Sequence, residues 1–363
     1  MNRKRDDVVT KSTIIKSKLI IFSIAALSFM SFIILMPKES ANAVKFGLTV
    51  CGEIVVPSLF PFAFICIFIY SSNISKIFNK ILNKPMQLLN LTGDIGTVIF
   101  MSLIGGYPVG SKMISKLYED EIIDIRTANI LLMFCVNPGP AFVIVAVGNG
   151  MLRDYKAGVI LFASCIIASV VLLIILCLFL KPKSTVFKKK SLPLPDAMIK
   201  SISEASASTI QICSFVVIFS CIGCAIKTSM PNGISTIFIS LLEVTNGCLY
   251  SSKISIYLIA FILSFAGIAV HFQIFSFCGK MKIDYALFYI GRIIHGLITV
   301  VIVFILEKIF PITKNVAAYG EIKNSLEISA TSVCSLCLVC TSFVIMCYWI
   351  LSLKEIDEKK NAR

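Results

Sequence analysis

Arg292 and His295 stand one helical turn apart inside the apolar run Asp284–Glu307, and at helical spacing they share a face. A charge at bilayer depth is costly, and it ordinarily lines a pathway or pairs with a partner. Tyr285, Phe288, Tyr289, Gly296 and Thr299 lie on or near the same stripe. Such a stripe suits a helix that faces a polar cavity or a neighbouring helix rather than lipid. The guanidinium can fork onto a carboxylate of a solute. It can equally be neutralised by Glu243, as a structural ion pair that carries no solute. His271 and His295 can take up a proton, bind a solute or hydrogen-bond another helix. No Cys or carboxylate sits at ligand spacing beside them, so no metal is expected. There is no P-loop, no G-x-S-x-G and no H-E-x-x-H, which argues against an enzyme and against a bound cofactor.

The elements that must carry these residues are membrane helices. Of the 363 residues 57% are hydrophobic and 15% charged, with a mean hydropathy of +0.91. Soluble domains run at about 25% charged. The composition predicts an all-α polytopic membrane protein. The net charge of +14 does not point to nucleic acid, because the Lys and Arg cluster in short loops, as the positive-inside rule expects. Among the fourteen Cys, Cys221 and Cys224 form C-x-x-C, and Cys334, Cys337 and Cys340 form C-x-x-C-x-x-C. Both lie in apolar helical runs, where small residues pack helices together, so no iron–sulfur cluster is expected.

Along the chain, residues 1–41 hold a basic start and a first spanning helix from Leu19 to Met36. Ala41-Asn42-Ala43 resembles a signal-peptide cleavage site, but the apolar stretch exceeds the usual signal core of roughly 7–15 residues, which favours an uncleaved helix. A second apolar segment, 42–70, is interrupted by Pro57 and Pro61. Residues 95–111 break at Gly105-Gly106-Tyr107-Pro108, and KLYEDEIIDIR (116–126) continues as a polar helix-like stretch. Residues 127–149 break at Asn137-Pro138-Gly139-Pro140, and 155–180 read as a clean span. The basic, proline-containing stretch 181–200 divides the chain into halves.

The second half, 201–310, repeats the plan of 42–180. Its runs break at Glu243-Val244-Thr245-Asn246-Gly247 and near Gly267, before His271 and Gln273, and end with the Arg292 helix. Residues 311–363 supply a last span (326–353) and a tail. At an offset of 130 residues, Met151-Leu-Arg-Asp154-Tyr155 falls on Met281-Lys-Ile-Asp284-Tyr285. With the N-terminus in the cytoplasm, and with 95–111 and 234–250 dipping in and returning, most of the 34 Lys and Arg fall inside. The halves then run in opposite senses, an inverted repeat with interrupted, re-entrant helices of the kind secondary transporters use. Paired interruptions mark a solute site, because half-helix ends leave free N–H and C=O groups at membrane depth. The candidate substrate-binding residues are therefore Arg292, His295, His271, Gln273, Glu243, Asn246, Asn137, Gly139, Gly105, Gly106 and Tyr107.

VPSLFPF (56–62), GGYPVGSKMISKLYE (105–119), CVNPGPAFVIVAVG (135–148), LLEVTNG (241–247), GIAVHFQ (267–273) and the Arg292 helix together resemble the sporulation integral membrane protein family YlbJ, over about residues 19–353. The resemblance implies nucleoside-recognition, Gate-type domains and a role in late spore development and cortex formation. It also implies a multi-pass position in the outer forespore membrane and movement of dipicolinic acid. The partners it implies are a small anionic solute and the lipid bilayer, with a second copy of the chain or other sporulation membrane proteins beside them. Two alternatives remain open: a carrier of nucleoside-like solutes, and a membrane scaffold for spore assembly that moves nothing.

Overall fold

A computed structural model describes residues 2–182, 191–252, 254–279 and 281–312. The expected last span at 326–353, with Cys334, Cys337 and Cys340, lies outside the described residues. The described chain is all-α: α1 Asn2–Leu35, α2 Pro37–Val50, α3 Val56–Ser71, α4 Ser75–Gln87, α5 Gly93–Ile104, α6 Tyr107–Glu119, α7 Ile125–Leu132 and α8 Tyr155–Leu180, then α9 Leu194–Ser229, α10 Asn232–Leu242, α11 Val244–Ser251, α12 Ile256–Phe265, α13 Gly267–Phe277 and α14 Tyr285–Ile309. Two π-helical stretches, Cys51–Val55 and Ala141–Met151, join α2 to α3 and precede α8. Among the described residues five helical runs are long and apolar enough to cross a bilayer: Pro37–Ser71, Tyr155–Leu180, Leu194–Ser229, Ile256–Phe277 and Tyr285–Ile309. The chain is an all-α polytopic membrane protein.

Three boundaries differ from the sequence reading. Pro57 and Pro61 do not break the second segment, which stays helical from Pro37 to Ser71. Pro57 follows directly on the π-helical turn Cys51–Val55, which locally widens the helix and absorbs the change of register, while Pro61 lies inside α3. KLYEDEIIDIR is not one helix. It is the end of α6, a turn at Asp120–Asp124 and the start of α7, whose first turn is closed by Asp124 accepting the Thr127 N–H at 2.8 Å. The stretch 181–200 is part helix, since α9 begins at Leu194. Ala41-Asn42-Ala43 lies within α2.

The described chain forms two compact units, each with its own core. One holds the residues up to Lys45 with Ser220–Ile239, and here Phe32 and Ala225 pack with Phe29 and Cys224. The other holds Phe46–Phe219 and the residues from Ser240 on, around Ile67, Ile95, Met113, Leu131, Leu263 and Phe288.

Five consecutive elements of the first half have counterparts in the second. α5, α6, α7, the π-helix Ala141–Met151 and α8 answer to α10, α11, α12, α13 and α14. The long helices α8 and α14 start alike, with Asp154 accepting the Ala157 N–H at 3.1 Å and Asp284 accepting the Leu287 N–H at 3.0 Å. The packing is reciprocal. α6 meets α7 as α11 meets α12, α6 meets α13 as α11 meets the π-helix, and α7 meets α14 as α12 meets α8. None of α5, α6, α7 or α11, at 12, 13, 8 and 8 residues, can alone span a hydrocarbon core of about 30 Å, and α12, at 10 residues, reaches that length only in the run it makes with α13. They stand as half-helices between the long spans.

Candidate functional site

Each half-helix ends because the backbone there cannot continue. Gly106 (φ +86°) turns the chain from α5 into α6, and a side chain at this position would meet Leu59 at 2.7 Å. The Pro-rich loop 137–140 follows α7 and opens the π-helix. Glu243, in extended conformation, is the one residue between α10 and α11. Ala266 (φ +79°) separates α12 from α13, whose first residue, Gly267, is also left-handed (φ +69°). The two breaks of the first half touch, with the space above Gly106 bounded by the Gly139 nitrogen at 3.6 Å.

All four breaks contribute to one cavity of about 40 Å³. It is lined by Tyr107 and Pro108 at the start of α6, Gly139 and Phe142, Glu243 and Thr245 at the start of α11, and Val270 and Gln273 of α13. Ser58 and Leu59 of α3 and Ile212 and Val216 of α9 close it. The lining is mainly apolar, with a few convergent polar groups, as solute sites are. Glu243 is 3% exposed and caps α11, its two carboxylate oxygens accepting the Thr245 N–H at 3.0 Å and the Asn246 N–H at 2.7 Å. A carboxylate suits that place, because the helix N-terminus presents free donors and a partial positive charge. Tyr107 reaches across to the other half, its hydroxyl donating to the Leu263 carbonyl in the last turn of α12 at 2.7 Å.

Arg292 and His295 do not line this cavity. Arg292 is fully buried on α14, with Tyr107, Cys135 and Cys165 around it. Its Nη1 donates to the carbonyl of Met133, the C-cap of α7, at 3.4 Å, while Nε and Nη2 have no hydrogen-bond partner among the described residues. It is not paired with Glu243, whose two oxygens are taken by the α11 backbone. The cation sits instead against the C-terminal end of a half-helix, where the helix dipole favours positive charge. His295 joins a chain of polar groups: its Nε2 lies 3.0 Å from Ser169 Oγ on α8, and that hydroxyl donates to Asn137 Oδ1 at 2.7 Å. Asn137 in turn donates to the Phe134 carbonyl at 2.8 Å. His271 stands apart, its Nε2 lying 2.7 Å from the Phe265 carbonyl at the end of α12 while Phe265, Phe288 and Tyr289 turn ring edges or faces to it.

The sequence candidates therefore divide into three groups. Tyr107, Gly139, Glu243 and Gln273 line the cavity, and Asn246 is bound to the Glu243 carboxylate; Gly105 and Gly106 do not line it, although Gly106 lies against Leu59 and Gly139, which do. Arg292, His295 and Asn137 form buried contacts between α14, α8 and the end of α7. His271 closes α12. The sequence reading missed Ser58, Thr245 and the α9 stripe of Ile212 and Val216. Ser58 sits inside VPSLFPF, whose paired prolines marked it only as a break. The α9 stripe carries no signal beyond apolarity.

Compared with known proteins, the chain is similar to the sporulation integral membrane protein YlbJ of Bacillus subtilis (strain 168). The two are 23% identical over 320 residues, covering 75% of this chain and 78% of that protein. No protein-family model and no solved structure matches the chain. The resemblance carried by the sequence motifs thus extends over most of both chains, and it supports a membrane role in sporulation.

Proposed function

We propose that this relative of a sporulation membrane protein is a carrier, and that it moves a small anion such as dipicolinic acid across the outer forespore membrane, supporting cortex formation. One observation carries the reading: the interruptions of both halves converge on a single cavity. Irregular backbone at membrane depth is tolerated where it lines a cavity, and paired broken helices are where secondary transporters hold their solutes. A cavity of about 40 Å³ admits water but not a solute of this size, for which pockets of about 300 Å³ or more are usual. Carriage therefore requires the half-helices to part. Arg292, buried behind Tyr107 with two of its nitrogens unpartnered among the described residues, becomes the anion's charge partner when they do.

A second reading has its own support. The lining offers the neutral groups of Ser58, Tyr107, Thr245 and Gln273 and one carboxylate, a set that suits a nucleoside-like solute better than a dianion. The two are separated by uptake into proteoliposomes. The anion reading expects uptake of labelled dipicolinate above protein-free vesicles, cut at least about ten-fold by Arg292→Met, the cost of losing one charge-assisted contact. Uptake of a nucleoside that survives Arg292→Met, without dipicolinate uptake, overturns it.

A further inference from the structure

α6 and α9 carry a charged cluster one turn beyond the cavity. Pro108 of α6 and Ile212 and Val216 of α9 line the cavity wall. At the same helical register, one turn toward the C-terminus on α6 and one turn toward the N-terminus on α9, stand Lys112 and Ser208, and after another turn Lys116 and Glu204. Lys112 Nζ donates to Ser208 Oγ at 2.8 Å and to the Glu204 main-chain carbonyl at 3.1 Å, and lies 3.4 Å from Glu204 Oε2. Lys116 Nζ is 2.5 Å from the same oxygen, and Lys200 Nζ is 3.9 Å from Oε1. Three ammonium groups thus converge on one carboxylate. Two further acids stand nearby: Glu119, at the end of α6, accepts from Ser115, and Asp120, just past α6, accepts from Tyr70 at 2.9 Å.

The side chains of Lys112 and Lys116 are 18% and 17% exposed, and that of Glu204 is 24% exposed. Partly desolvated ammonium groups bind a carboxylate more strongly than solvated ones. The Lys112 donors point toward α9, one turn or about 5.4 Å from the cavity lining on either helix. The interruptions of the helices, by contrast, supply the cavity with no lysine or arginine.

We propose that Lys112, Lys116 and Lys200 form the anion-recognition mouth of the cavity, and that Glu204 holds the place of the solute's carboxylate in the empty state. The solute class is a small dicarboxylate or comparable anion. A carboxylate entering between α6 and α9 displaces Glu204 from Lys112 and Lys116 and is handed to the cavity one turn further on. The inference deepens the anion-carrier reading and rests on it for the choice of solute.

Binding, rather than transport, tests it. Dipicolinate affinity is measured on the purified full-length protein by thermal shift and equilibrium dialysis. Lys112→Gln and Lys116→Gln are each expected to weaken binding about five-fold, and Glu204→Gln, which removes the competitor, to tighten it. The weakening fades as ionic strength rises. Lys200, with a side chain 52% exposed, provides a variant that folds in any case, and Lys200→Gln is expected to weaken binding about two-fold. No dipicolinate binding by the unmodified protein overturns the proposal, as does affinity unchanged in all three lysine variants. Loss of binding in Glu204→Gln together with a lower melting temperature without ligand also overturns it, because the cluster is then only a clasp between α6 and α9. The expected binding pattern without uptake in proteoliposomes leaves the mouth standing and removes the carrier.

Discussion

Arg292 holds a full guanidinium in a setting that satisfies only part of it. One nitrogen meets the Met133 carbonyl at the end of α7, and two have no hydrogen-bond partner among the described residues. A side chain of that kind costs stability, and an apolar residue of similar size does not. Arg292→Met is accordingly expected to raise the unfolding free energy by about 1–3 kcal/mol while it lowers uptake, a combination read by thermal melting of the purified variant. Loss of both would make Arg292 a plain structural clamp on α7. Ala266 is the second residue under strain. Its φ of +79° lies in the left-handed region, which costs an L-residue about 1–2 kcal/mol, while glycine's added chain entropy offsets roughly half of that. Ala266→Gly should therefore stabilise the protein by about 0.5–1 kcal/mol, measured by the same melt, with the α12–α13 bend kept.

The half-helices are where function and scaffold can be told apart. Pro138 and Pro140 keep the chain between α7 and the π-helix from closing into a continuous helix, because neither can donate an N–H and the residue before each is steered away from α. If the breaks form a solute site, Pro138→Ala with Pro140→Ala lets helix grow through the loop, and spores of the variant strain are expected to lose at least about ten-fold in heat-resistant count. Full sporulation with the double variant would favour a scaffold. The close approaches in this region are strict. A Cβ at Gly110 of α6 would sit 1.8 Å from the Cys135 carbonyl oxygen, so α6 is pressed directly onto the backbone that follows α7. The short helices thus have little freedom to shift one at a time, and opening of the cavity involves several of them together.

For the molecule as a whole, the charges on the loops argue for an orientation. The connection 183–190 is basic, and the Arg153–Asp154 turn between the π-helix and α8 lies at the opposite end of the α8 span. With the N-terminus in the cytoplasm, alkaline phosphatase fused within 183–190 is expected to be inactive and phosphatase fused after Leu152 active, since the enzyme gains activity only outside the cytoplasm. The reverse pattern would turn the whole topology over. Reciprocal packing of α6 with α13 and α11 with the π-helix makes each half complete the other's surface. Either half alone would expose its half-helices with their free backbone ends, and for that reason the halves are expected to work only as one chain.

The sequence by itself determined that this is an all-α membrane protein, and it located the four interruptions. Those follow from local causes: long apolar runs, Asp caps before α8 and α14, and glycines and prolines that stop a helix wherever it is placed. It also assembled a candidate set in which Tyr107, Gly139, Glu243 and Gln273 do meet at the cavity. It left open whether Glu243 neutralises Arg292, since both readings fit two charges of opposite sign in one half of a membrane chain. Only the tertiary structure decided that, by giving both Glu243 oxygens to the start of α11 and turning Arg292 to the end of α7. It also brought the α9 stripe of Ile212 and Val216 to the cavity and set Glu204 among three lysines, 88 residues from Lys116 in the chain. The physical reason is the same in each case. A cap, a turn or an apolar run is fixed by neighbours within a few residues, whereas the partner of a buried charge is chosen by which helix packs beside it.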